Sequence, residues 1–131
     1  MYALDEDVEM MRMKVAERMG WRGIEYSKDG YLIGLPAGRK VFAVVPSYVR
    51  DIKAAWLLVD HLALYGIRTK VQADPIDKSG RSCRAEMDYK GKLVSEACER
   101  TAPLAICHAY LKIQGDQLAC SYMESKSMAG S

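Results

Sequence analysis

Between residues 67 and 88 the chain alternates twice, and this pattern limits the fold more than any other feature. Ile67 to Ala73 interleaves apolar positions with Arg68, Lys70 and Gln72. Cys83, Ala85 and Met87 then alternate with Arg84, Glu86 and Asp88. A period of two places one set of side chains on each face of a strand, so both runs predict half-buried strands. The polar segment Asp74-Pro75 with Asp77-Lys78-Ser79-Gly80 is a turn between them, which makes the pair antiparallel. Tyr89-Lys90-Gly91-Lys92 turns the chain again, toward a short edge strand at Leu93-Val94.

Three other segments carry the helical period. Val8, Met11, Val15 and Met19 recur at spacings of three and four, with Leu4 one turn earlier. Asp5, Glu6 and Asp7 favour the positive end of that helix, and Gly20 is its C-cap, with Arg18 in the last turn. A second helix is expected after Ser47, with Asp51 in its first turns, Gly66 at its end and a buried face of Ile52, Ala55, Trp56, Val59, Leu62 and Ala63. Thr101-Ala102-Pro103 reads as an N-cap with proline near the first helical position. Leu104, Ile106, Cys107, Tyr110, Leu111 and Ile113 continue that third helix to Gly115. Between the first two helices, Tyr31-Leu32-Ile33 and Val41 to Val45 flank Leu35-Pro36-Ala37-Gly38, the pattern of a hairpin. Trp21 and Trp56 are expected in the core. The whole reads as a small α/β sandwich, roughly α-β-β-α-β-β-α, with three helices on a mostly antiparallel sheet. A single domain is expected over 1–115, with 116–131 as a loosely held C-terminal tail.

Charge narrows the partners. Nineteen Lys and Arg face seventeen Asp and Glu, a net +2 over 131 residues. A DNA mimic would be strongly acidic and a dedicated nucleic-acid binder strongly basic, so neither class is expected. The longest uncharged apolar stretch, Ala54 to Val59, is far short of a membrane span. The acidic N-terminus does not have the form of a signal peptide, and the four cysteines show no two-residue metal or redox spacing. A cytoplasmic protein with reduced thiols is the expectation.

Each candidate for chemistry has a plainer alternative. Cys107 and His108 are adjacent on a predicted helix and so point about a hundred degrees apart, too far to act as nucleophile and base. Asp60 and His61 lack further ligands at helical spacing, so no metal is assigned, and no cofactor is implied. Gly30, Gly34 and Gly38 before Arg39-Lys40 lack the serine or threonine and the following helix of a phosphate loop. They read as a hairpin with a basic tip. Residues 21–53 nevertheless carry six basic and three acidic groups, against three and five in residues 1–20. An anionic ligand is therefore expected at Arg39, Lys40, Arg81 or Arg84, with Tyr31, Tyr48 and Tyr89 nearby in sequence. The alternative is a solvated, charge-decorated sheet face.

Three stretches also carry a family resemblance. They are Val15 to Trp21, then Pro46-Ser47-Tyr48 with Asp51 to Trp56, then Thr101 to Leu111. In this order and spacing the chain resembles the phage ABA sandwich domain family. The resemblance implies an α/β/α sandwich and a phage or prophage origin, and it carries over no catalytic residues. The glycines and Arg39-Lys40 between the two tryptophan motifs are particular to this chain.

The function expected from these readings is a phage-type accessory binding protein without catalytic activity, countering host defence by binding a host protein or sequestering a nucleotide signal. A structural oligomerisation module and a small nucleotide- or phosphoester-acting enzyme are the alternatives. Self-association is expected, most simply as a dimer, because Met10, Met11 and Met13 exceed what one narrow stripe needs.

Overall fold

The computed structural model describes residues 2–73 and 82–113, with side chains from residue 7 onward. Among the described residues three helices and six strands follow one another as α1 (Tyr2–Arg18), β1 (Arg22–Tyr26), β2 (Leu32–Leu35), β3 (Ala43–Val44), α2 (Ile52–Ala63), β4 (Ile67–Ala73), β5 (Cys83–Tyr89), β6 (Lys92–Glu99) and α3 (Ala102–Lys112). The strands form two antiparallel three-stranded sheets, β1-β2-β3 and β4-β5-β6. This is the small α/β sandwich that the patterning predicts, with the strands divided between two sheets.

The alternation at 67–88 resolves as expected. β4 and β5 pair from Ile67 opposite Tyr89 to Ala73 opposite Cys83. Ile67, Ala85, Met87, Ser95 and Ala97 face inward and are buried. The outer face carries matched charges across the strands, with Arg68 3.0 Å from Asp88 and Arg84 3.7 Å from Glu86 along β5. The turn after β5 takes positive φ at both Lys90 and Gly91, the backbone of a two-residue hairpin that follows the sheet's twist. β6 runs well past Leu93-Val94 to Glu99. Its inward positions are the small residues Ser95 and Ala97, which leave room for a helix to lie close.

That helix is α3. Pro103, Ala105, Ile106, Cys107, Ala109 and Tyr110 are all buried and fill an arc of about 200°. α1, α2 and the β4-β5-β6 sheet all pack against the helix, while Leu104, His108 and Leu111 are half-buried and Lys112 is exposed. Thr101 caps it as expected, its hydroxyl accepting from Leu104 N at 3.4 Å. The buried Ser95 hydroxyl donates to Ala109 O at 2.6 Å. At the far end the Arg18 guanidinium of α1 donates to the carbonyls of Tyr110 and Leu111, 3.2 Å each, and to that of Ile113. A cation placed on the last carbonyls of a helix satisfies them and suits the helix dipole.

α1 is tied at its middle as well. Arg12 donates to Pro46 O at 3.2 Å and to Val45 O, and Glu9 pairs with both Arg12 and Arg50. Gly20 ends the helix with φ +99°, and a Cβ there would lie 2.9 Å from the Ala37 Cβ, so no larger residue fits. Val15 and Ala16 are buried, while Met11 and Met13 are half-buried against the core and Met10 is exposed. The methionine surplus is thus partly absorbed by packing.

Three expectations are corrected. The N-cap of α2 is Asp51, accepting from Lys53 N at 3.0 Å, rather than Ser47. β1 adds a strand at Arg22–Tyr26 that no alternation announces. The buried face of α2 is Ala54, Ala55, Leu58 and Leu62, whereas Trp56 is 46% exposed and Ile52 is exposed as well. The reason is that α2 is apolar nearly all round, so its period fits more than one phase. Trp21 is half-buried against the core. The proposed tail 116–131, Gly115, Cys120 and the turn from Asp74 to Gly80 lie outside the described residues.

We expect Ile106→Ala to cost about 2–5 kcal/mol, the usual result of emptying a core position. Trp56→Ala should cost under about 1 kcal/mol in dilute solution, as for an exposed site. Chemical denaturation of the two variants checks the assignment of both faces. A reversed order would contradict it.

Candidate functional site

The chain leaves β2 through Pro36 and closes a turn with Arg39 N donating to Pro36 O at 3.0 Å. It then runs through Arg39, Lys40, Val41 and Phe42 before pairing again for only two residues at β3. β3 is an edge strand, so little restrains the segment before it. Val41 is 77% exposed and Phe42 46% exposed. The Phe42 ring lies against Gly23 of β1, where a Cβ would meet its Cζ at 3.6 Å. That distance is ordinary van der Waals contact, so glycine at 23 serves the backbone, whose φ is +61°, rather than the ring.

Pro36, Arg39, Lys40, Val41, Phe42 and Ala43 enclose a shallow cleft of about 390 Å³, within the size range of small-ligand sites. Neither the Arg39 nor the Lys40 side chain makes an ion pair or hydrogen bond among the described residues. The cleft offers two cations beside an aromatic ring and aliphatic side chains. Cations bind phosphate oxygens and a ring face stacks on a base.

The other residues of the expected anion site lie elsewhere. Arg84 belongs to the second sheet, beside Glu86. Arg81 lies outside the described residues. Of the tyrosines, Tyr31 is exposed, Tyr48 is buried in the core and Tyr89 is half-buried with Lys90 Nζ 5.2 Å from its ring centroid. Val41 and Phe42 have the pattern of strand residues, but β3 pairs only at Ala43–Val44, which leaves both free to line the cleft. The signal was present in the sequence: the single phenylalanine of the chain stands two residues after a basic pair.

The nucleophile and base candidates are held in structural roles. Cys107 is buried, its thiol donates to Tyr48 O at 3.1 Å, and burial pushes its pKa up to about 12. A thiol this reluctant to ionise is a poor nucleophile at neutral pH. His108 points instead to Glu99, Nδ1 to Oε1 at 2.8 Å. His61 packs edge-on against Tyr65 and Tyr110, with ring centroids 5.3 and 6.3 Å away, and burial lowers its pKa. No group of three or more His, Cys, Asp or Glu among the described residues is placed to hold a metal ion. No helix among them is long and apolar enough to cross a membrane. A wider cleft of about 550 Å³ lies between Lys14, Glu17, Arg18 and Leu111, but its arginine is engaged with the α3 carbonyls.

Comparison with known proteins agrees with this architecture. The family model of the phage ABA sandwich domain matches residues 12–111. A solved structure described as a phage protein from Bacillus cereus ATCC 14579 is similar, with a TM-score of 0.56 and 23% sequence identity. The similarity covers 79% of this chain and 88% of that one. No curated protein matches the chain.

Thiol chemistry gives a direct check on the site. Cys98, which is exposed, should alkylate rapidly in the native protein, and Cys107 only after denaturation. Peptide mass spectrometry after timed alkylation reads both. Rapid native labelling of Cys107 would contradict its assignment as a core thiol.

Proposed function

We propose, for a chain that belongs to the phage ABA sandwich domain family, the role of a non-catalytic accessory binding protein that sequesters a nucleotide and so blunts a host defence signal. One observation carries this reading. Arg39 and Lys40 have no partner among the described residues and stand beside Phe42 in a cleft of nucleotide size, on a segment outside the packed core. Phosphates would meet the two cations while the base lies against Phe42. Cys107 and His61, the groups best suited to chemistry by type, are held in packing roles, which supports binding over turnover.

The experiment is equilibrium binding of ATP and of a cyclic dinucleotide to the purified protein, with the wild type compared with Arg39→Glu/Lys40→Glu and Phe42→Ala. Hydrogen bonds to charged groups contribute about 1.5–3 kcal/mol each. Losing both cations should therefore weaken binding at least about tenfold, since about 1.4 kcal/mol is tenfold. The melting temperature should barely move, because neither side chain has a partner to lose. Affinity should also fall as salt rises. Absence of binding by both probes, or binding indifferent to the double reversal, would overturn the reading.

A further inference from the structure

The solvent-facing side of α2 carries an apolar surface that the cleft does not use. Ile52, Trp56 and Leu57 are each 45–46% exposed, and Leu64, the C-cap residue, is 77% exposed. At about 100° per residue these four fall within one arc of about 140°. Two charges lie near the middle of that arc, Lys53 and Asp60. Neither side chain forms an ion pair among the described residues. Ile52, Lys53, Trp56 and Asp60 also line a groove of about 320 Å³.

We infer that this face binds a second copy of the chain as an antiparallel, two-fold helix pair. The spacing of the charges selects that occupant. Lys53 and Asp60 are seven residues apart on one line of the helix, about 10.5 Å along its axis. Their midpoint falls between Trp56 and Leu57. A two-fold axis through that midpoint sets Lys53 of each copy against Asp60 of the other, two salt bridges from one self-complementary patch. The two Trp56 indoles then meet on one flank of the axis and the two Leu57 side chains on the other. A parallel pairing would bring Lys53 against Lys53 and Asp60 against Asp60, so the charges also fix the direction. The apolar ring around them supplies the burial that an exposed tryptophan otherwise forgoes.

Charge reversal tests the pairing without endangering the helix. Lys53→Asp puts a carboxylate in the first turn and Asp60→Lys puts an ammonium near the last, and both suit the helix dipole. In sedimentation equilibrium the wild type should be a dimer. Each single variant should dissociate at least tenfold more readily, with an unchanged circular dichroism spectrum. The double variant Lys53→Asp/Asp60→Lys should regain the dimer. An equimolar mixture of the two single variants should form a heterodimer, because every facing pair is then opposite in charge. A monomeric wild type at all concentrations, a dimer that neither single variant weakens, or single variants that fail to pair when mixed would each overturn the inference. Nucleotide binding at Arg39 and Lys40 is not involved, so the two proposals stand or fall separately.

Discussion

The fold leans on one helix, α3, which buries six of its eleven residues. Burying so broad a face of α3 requires that its neighbours be apolar toward it and that the polar groups on that face find partners. Ala105 and Ala109 keep the helix narrow, and Ser95 and Ala97 on β6 keep the sheet surface low beneath it. Its backbone polar groups are then met from three directions. Thr101 caps the start, Ser95 reaches Ala109 O from the sheet, and Arg18 brings the charge of α1 to the last carbonyls. An unsatisfied buried carbonyl costs about 1–3 kcal/mol, so α1 and the sheet are selected to supply these partners as well as apolar contact.

The same arrangement explains which parts of the fold the sequence discloses. β4 and β5 have one wet face and one dry face, so strict alternation marks them. Thr101-Ala102-Pro103 marks α3 because capping chemistry is local. α2 is harder to read: Ile52, Trp56, Leu57 and Leu64 point outward while Ala54, Ala55, Leu58 and Leu62 point inward. Two apolar faces leave the period without a phase, and a large indole pulls the reading toward the wrong side. β1 is hidden for another reason, since Gly23 takes a positive φ and the register shifts between Arg22 and Glu25. A bulged strand does not keep a period of two.

The candidate site was legible in its charges and illegible in its shape. Arg39 and Lys40 were visible as a basic tip, whereas the cleft depends on Phe42 resting over Gly23, a contact across a strand pair that sequence spacing does not encode. Arg84 looked equivalent until the fold placed Glu86 beside it. Arg68 and Arg84 on the outer face of the second sheet sit beside carboxylates, while among the described residues Arg39 and Lys40 on the β2–β3 segment do not. The division is physical. The core built around α3 holds the scaffold, and the residues free to recognise something lie on the periphery, on an edge segment and on the outer face of α2.

Amide hydrogen exchange measures that division most directly. If α3 organises the fold, the amides of Ile106 to Tyr110 and of β5 exchange only through global unfolding, at the slowest rates in the protein. The amides of Arg39 to Phe42 exchange through local opening, orders of magnitude faster. Exchange in α3 as fast as in the β2–β3 segment would contradict the account, because the helix would then be a peripheral element rather than the one on which the others are built.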